Sequence, residues 1–311
     1  MKYAFVFPGQ GSQSQGMMNG FEKFPVVRET FLEASDILHQ DLWELAANGP
    51  QEALNQTINT QPLMLAAGIA VYRAWTSLAG SKPALLAGHS LGEYGALVAS
   101  NALAFSDALP LVRFRAKAMQ EAVPEGIGGI AAILGLEDEA VREVCREAAE
   151  DGVVEAVNYN SPGQVVIAGH KDAVLRGMEL AKQKGAKRAI MLPMSVPSHC
   201  SLMKPASDAL RDYLKDVSMN APSIPVLHNV DVARHEDPVE IKSALVDQLD
   251  HPVRWVETVK AIHEQGFSHA AECGPGKVLT GLNKRIAPEQ VIFALTDSAA
   301  LEEAAATLDK G

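Results

Sequence analysis

The chain has 311 residues, 47% of them hydrophobic and 21% charged, the balance of an ordinary soluble globular protein with ample core. That length fits one large domain, or a large domain carrying a smaller one. A formal net charge of −11 argues against nonspecific binding to nucleic acid or to an anionic membrane surface. The cysteines, Cys145, Cys200 and Cys273, are odd in number and lack metal-ligand spacing. They favour a reducing compartment over a disulfide scaffold and give no metal site. The N-terminal apolar run is too short for a signal peptide, and no stretch approaches the ~18 residues of a membrane span. The expected location is therefore the cytoplasm, with no membrane association.

Residues 3–7 read as a strand entering the loop Pro8-Gly9-Gln10-Gly11-Ser12-Gln13, and helical patterns follow at 25–40 and 62–79. The short apolar run 84–87 suits a buried strand. Gly88-His89-Ser90-Leu91-Gly92 comes next, and residues 93–99 continue as a helix. Strand, G-x-S-x-G turn and helix make up a nucleophile elbow, which lifts a serine hydroxyl above a sheet on strained backbone. The alternative is a structural turn, since the bare pentapeptide also arises by chance; the flanking strand and helix favour the nucleophile. The helix after Ser90 aims its free N–H groups and positive dipole end where an oxyanion would develop. Another helix is expected from Ser106, as N-cap, to about Val123, and 126–129 reads as a hinge or domain boundary.

Residues 130–192 have their own rhythm, with strands at 130–134, 153–159, 164–168 and 189–192 and helices at 137–150 and 171–184. The order β-α-β-β-α-β is the ferredoxin-like arrangement. In the C-terminal third, strands at 224–229, 269–272 and 291–295 alternate with helices at 239–249, 253–265 and after Gly274-Pro275-Gly276, the strand at 291–295 closing the series. Such alternation implies a mostly parallel sheet covered on both faces. The expected fold is α/β, a large subdomain over 1–125 and 196–311 with a small ferredoxin-like subdomain inserted over 126–195.

A serine nucleophile needs a base, and nine histidines compete. His89 adjoins Ser90 and should leave the elbow in another direction. His39, His263 and His269 sit in regular patterns, and His170, His228, His235 and His251 have no distinctive setting. His199 lies in an irregular segment near a domain junction, where catalytic loops are commonly carried. This makes it the leading candidate and leaves the others open. Arg115 falls among Leu111, Val112, Ala118 and Met119 on the apolar face of its helix, where an unpaired charge is strongly destabilising. It is either a member of a buried ion pair or a fork awaiting a substrate carboxylate. Gly9-Gln10-Gly11 has Ser14 where a dinucleotide loop wants Gly or Ala. Ser201-Leu202-Met203-Lys204 lacks the partner motifs of S-x-x-K enzymes, and Glu272-Cys273-Gly274 lacks a partner ligand. Lys182, Lys184, Lys187 and Arg188 form either a solvated face or a docking patch for an anionic partner.

Taken in order, Phe7-Pro8-Gly9-Gln10-Gly11-Ser12-Gln13, Gly88-His89-Ser90-Leu91-Gly92-Glu93, Arg115 before Met119-Gln120, and Pro197-Ser198-His199 resemble the malonyl-CoA:acyl carrier protein transacylases of bacterial fatty-acid synthesis. The similarity runs over essentially the whole chain and includes 158–164 and 274–279. It implies an α/β-hydrolase-like large subdomain and an acyltransferase passing malonyl from malonyl-CoA to the phosphopantetheine thiol of acyl carrier protein, without metal or other cofactor. By the resemblance, Ser90 is the acylated nucleophile and His199 its base, oriented by a backbone carbonyl at Gln248. The Gln10 and Leu91 N–H groups form the oxyanion hole, and Arg115 holds the malonyl carboxylate. Ser198, where polyketide acyltransferases often carry Phe, favours the stand-alone fatty-acid enzyme. The rivals are an acyltransferase of a polyketide or malonate-decarboxylase system, a serine thioesterase or esterase, and a non-enzymatic carrier-binding module.

Overall fold

An unbroken apolar run such as Tyr-Ala-Phe-Val-Phe is stable as a strand only where both faces are covered. In the computed structural model, which describes residues 2–78, 81–194 and 196–309, that run is the central strand β1 (Tyr3–Phe7). Helices α1 (Pro25–Leu38), α2 (Leu42–Asn48), α3 (Gln51–Leu54) and α4 (Thr57–Leu78) separate it from β2 (Leu85–Gly88). Then come α5 (Gly92–Ala99), α6 (Phe105–Ala122), β3 (Gly128–Leu134), α7 (Asp138–Ala149) and β4 (Val154–Ser161). β5 (Gln164–His170), α8 (Lys171–Gln183), β6 (Arg188–Met191) and α9 (Lys204–Leu214) follow. The remainder is β7 (Val226–Leu227), α10 (Pro238–Asp247), α11 (Trp255–Glu264), β8 (His269–Glu272), α12 (Val278–Ile286), β9 (Val291–Ala294) and α13 (Ser298–Leu308).

The strands make two sheets. One has the order β7-β2-β1-β8-β9 with every neighbouring pair parallel. Side chains of β1 alternate between its faces. Tyr3, Phe5 and Phe7 enter a core with Met64, Trp75 and Leu97 from α4 and α5, while Ala4 and Val6 face Trp255, Val259 and Leu279 from α11 and α12. The second sheet, β4-β5-β3-β6, is antiparallel, and its elements follow one another as βαββαβ. Ala131, Ile133, Val165 and Ile167 pack one face of it on Val141 and Val144 of α7 and Val174 of α8. Main-chain bonds join the two halves. Tyr159 N–H donates to Val253 O at 3.1 Å, and Val253 N–H donates to Val157 O at 2.9 Å.

Several expectations need correction. Ser106 is not an N-cap: α6 begins at Phe105 behind Ala104, which caps with no side chain. The helix expected over 62–79 starts at Thr57, and Pro62 lies inside it, in the second turn, where the ring has no N–H to give the carbonyl four residues back; residue 79 lies outside the described residues. Gly128 and Gly129 belong to β3 instead of breaking the chain. The strand expected over 224–229 shrinks to two residues at the sheet edge. The series closes with α13, not with the strand before it. Ser195, the expected subdomain boundary, also lies outside the described residues.

At the elbow the two glycines are sterically required. A Cβ on Gly88 would sit 2.0 Å from the Gly92 carbonyl carbon, and one on Gly92 would sit 2.0 Å from Phe7 O. The turn thus presses the start of α5 directly against β1. We expect Gly92→Ala to lose about 3 kcal/mol or more of unfolding free energy in chemical denaturation, because backbone has to move. Gly281→Ala, in α12 with nothing within 4 Å of the added methyl, should instead gain up to about 1 kcal/mol from helix propensity. Equal effects at the two sites would refute the close-approach account.

Candidate active site

Ser90 follows β2 with φ 51°, a left-handed conformation costly for a residue with a Cβ. Its amide N–H donates to Asn229 Oδ1 at 2.7 Å, and Asn229 Nδ2 in turn donates to Gly88 O at 2.6 Å. The side chain of Asn229, at the end of β7, therefore holds both ends of the strained turn.

Ser90 Oγ lies 2.8 Å from His199 Nε2, and His199 Nδ1 lies 2.7 Å from the Gln248 carbonyl oxygen. A carbonyl only accepts, so Nδ1 carries the proton and Nε2 presents its lone pair to the hydroxyl. His199 is itself left-handed, at φ 66°, and its amide donates to Leu249 O at 2.9 Å. Burial, helped by the nearby Arg115 charge, pushes its pKa down to about 3. The imidazole is consequently neutral throughout the physiological range and free to accept a proton.

None of the other histidines contacts the serine hydroxyl. His89 Nε2 pairs with Asn160 Oδ1 at 2.8 Å, and its ring packs edge-on against Trp255. His170 Nδ1 accepts from the Val153 amide, His251 pairs with Asp250, and His235 pairs with Asp231. His228, which has no distinctive setting in the sequence, is fully buried and donates from Nδ1 to Glu93 Oε1 at 2.7 Å.

Arg115 is 1% exposed. Its Nη1 donates to Gln61 Oε1 at 2.8 Å, and its Nη2 donates to Gln248 Oε1 at 2.9 Å and Ser90 Oγ at 3.2 Å. Among the described residues it makes no hydrogen bond to a carboxylate, so the buried ion-pair reading fails. The Tyr94 ring lies 5.5 Å from its guanidinium carbon. Because Oγ accepts from Arg115, its own proton is directed at His199.

Three further side-chain roles carry the site; sequence reasoning missed Glu93 and Gln61 and assigned Gln248 only its backbone carbonyl. Glu93, 0% exposed in the first turn of α5, accepts at Oε2 from the Asn229 amide and from Gln248 Nε2, each at 2.9 Å, besides its bond from His228. Gln248 Nε2 also donates to Ser90 O at 3.1 Å, so Gln248 acts through its side chain as well as its carbonyl. Gln61 is the third. The only sequence signal for Glu93 was an acid three residues after the serine, which reads equally as a helix-dipole acid.

The N–H groups of Gln10 and Leu91 have no acceptor among the described residues, and Leu91 stands at the start of α5. A cavity of about 400 Å³ is lined by Gln10, Ser90, Leu91, Arg115, Asn160 and His199. It opens beside a groove of about 680 Å³ that shares Gln10, Asn55, Met119, Pro193 and Met194 with it. The arrangement supplies a nucleophile, a neutral base, two free donors and one buried cation in a single space. Among the described residues no cluster of His, Cys, Asp and Glu is placed to hold a metal, and no helix is long and apolar enough to cross a membrane. Of the basic run, Lys182 pairs with Glu179 and Lys184 with Glu143 and Glu147, so half of it is compensated by acids.

The family model of acyl transferase domains matches residues 4–289. The chain is 54% identical over 304 residues to the malonyl CoA-acyl carrier protein transacylase of Salmonella typhimurium, covering 97% of this chain and 98% of that protein. Its fold superposes with a TM-score of 0.97 on the crystal structure of the acyl-carrier-protein S-malonyltransferase of Burkholderia pseudomallei, at 60% identity and covering 98% of this chain and all of that one. It superposes equally well, at 51% identity over 98% of this chain and 99% of the other, on a malonyl-transacylase solved in complex with a type II PKS acyl-carrier protein. With the serine elbow, its histidine and the buried arginine in one cavity, these likenesses establish that the chain belongs to the acyl transferase family.

Proposed function

We propose that the protein moves a malonyl group from malonyl-CoA to the phosphopantetheine thiol of acyl carrier protein, through a malonyl ester on Ser90, for fatty-acid chain elongation in the cytoplasm. The observation that carries this reading is the contact of one hydroxyl with both a neutral imidazole and a buried guanidinium lacking a carboxylate. A hydrolase of neutral acyl groups would have no use for that cation. The relatives named as malonyl transacylases support the same substrate, and the relative solved with its carrier supports the same partner.

As Ser90 Oγ attacks the thioester carbonyl, His199 Nε2 takes its proton. The carbonyl oxygen becomes an anion between the Gln10 and Leu91 N–H groups, donors worth about 3–4 kcal/mol each where charge develops. Collapse breaks the carbon–sulfur bond, and His199 returns the proton to the departing CoA thiolate. The carrier thiol then repeats the sequence in reverse, giving its proton to His199 and restoring Ser90. Splitting the transfer in two lets donor and acceptor use one site in turn. Throughout, Arg115 grips the malonyl carboxylate with its planar fork. No metal or redox cofactor enters this scheme. Residues 1–125 and 196–311 serve as the large unit bearing Ser90, His199 and Arg115, and 126–195 as the small unit whose Asn160 faces the acyl group.

Incubation with malonyl-CoA should add one malonyl mass to the wild type and none to Ser90→Ala. A persisting adduct would move the nucleophile elsewhere.

The low pKa of His199 sets a pH signature. A base that is deprotonated above about 3 loses nothing when the medium falls through the ordinary imidazole range. The kcat/KM for acylation should therefore stay level from pH 8 to about 5, since this quantity reports the free enzyme's base. A decline with a midpoint near the usual 6.5 would mean that His199 titrates as an exposed histidine.

Arg115→Ala should lose malonyl transfer while acetyl transfer gains relatively, because no buried charge then awaits a carboxylate. The ratio of kcat/KM for malonyl-CoA over acetyl-CoA is the deciding quantity. An unchanged ratio in a folded variant would make Arg115 structural.

A further inference from the structure

A cation removed from water ordinarily acquires a carboxylate partner. Arg115 is treated differently. Both arms of its fork are gripped by neutral carboxamides, Nη1 by Gln61 Oε1 at 2.8 Å and Nη2 by Gln248 Oε1 at 2.9 Å. The far end of each amide dictates its orientation. Gln61 Nε2 donates to Thr57 Oγ1 at 3.1 Å, and Gln248 Nε2 donates to Glu93 Oε2 and to Ser90 O. Arginine offers only donors, so both amides must turn their oxygens toward it. The guanidinium is thereby fixed in direction while its formal charge stays uncancelled by contact. The Glu93 carboxylate is linked to it by hydrogen bonds only through the Gln248 amide.

We infer that Gln61, with Gln248 opposite, is a specificity-determining positioning residue: it orients Arg115 without neutralising it and so reserves the charge for the carboxylate of the acyl group. This rests on the reading of Arg115 as the carboxylate-binding residue. A carboxylate in place of the Gln61 amide would stand at ion-pairing distance from Nη1 and compete with the substrate for the fork. An acyl group without a carboxylate loses nothing to that competition. Gln61 is the cleaner probe of the two. It hydrogen-bonds to Arg115, Thr57 and Met119 Sδ and to neither Ser90 nor His199, whereas Gln248 bonds to both.

The test measures kcat and KM of acylation by malonyl-CoA and by acetyl-CoA for the wild type, Gln61→Glu, Gln61→Met and Arg115→Ala, with thermal melts to confirm folding. Gln61→Glu is expected to lower the malonyl-to-acetyl ratio of kcat/KM about tenfold or more, carried by KM for malonyl-CoA. Gln61→Met, which keeps the volume and removes the acceptor, is expected to lower it about threefold by loosening the fork. If Gln61→Glu fails to fold, the methionine variant decides alone. A ratio within twofold of the wild type in the folded variants, or malonyl and acetyl rates falling in parallel, overturns the inference. Arg115→Ala separates the two levels. A collapsed ratio there with an unchanged one in the Gln61 variants removes only the amide clamp, whereas an unchanged ratio in Arg115→Ala removes the carboxylate reading beneath it.

Discussion

The site depends on one buried carboxylate that does not itself line the cavity. Glu93 sits in the first turn of α5 and collects a ring N–H from His228, a main-chain N–H from Asn229 and a side-chain N–H from Gln248. These donors come from the end of β7 and the end of α10, so one side chain ties the elbow helix to two distant segments. Each tie then serves the chemistry at one remove. Asn229 holds the Ser90 turn, Gln248 offers its carbonyl to His199, and its amide faces Arg115. A buried network of this kind is strong when every member is satisfied and a liability when one is lost. It explains how three residues from separate parts of the chain keep contacts near 3 Å.

The same region stores strain. Ser90 and His199 both have positive φ without being glycine, a cost of about 1–3 kcal/mol each. The hydrogen bonds from their amides to Asn229 and to Leu249 O lock those conformations in place. Strain, a buried cation and a buried neutral imidazole all occupy one cavity. Each would be removed by selection for stability alone, and their coincidence marks the place where the fold departs from the best-packed solution.

Features set by contiguous residues were legible in the sequence. The elbow is read from Gly88 to Gly92 because the steric demand is local, and Arg115 stands out because a helical period puts a charge on an apolar stripe. The alternating elements of the two sheets are read the same way, apart from their ends. What depends on chain segments meeting was not legible. His199 lies 109 positions from Ser90, and its irregular segment near a domain junction only ranked it ahead of eight other histidines; the family resemblance assigned it the role. Gln61, Glu93 and Asn229 look like ordinary polar residues of a helix or a strand end until the fold brings them together. Element boundaries slipped for a related reason. A serine near a helix start reads as a cap, yet α6 begins one residue before it because Phe105 is buried against the core.

The main-chain bonds between β4 and Val253 bear on how the cleft can behave. They make residues 157–159 an extension of the large sheet's surroundings, and the His89–Asn160 and Arg285–Gln164 contacts pin the same sheet close by. A hinged lid would have to break backbone pairing at every opening, which a closing loop in other enzymes does not. The width of the cleft is accordingly a property of the scaffold, closer to a ruler than to a gate. Any change in the size of group admitted has to come from the side chains along the opening, such as Met119 and Met194, whose unbranched thioethers re-pack more readily than the strands beneath them can move.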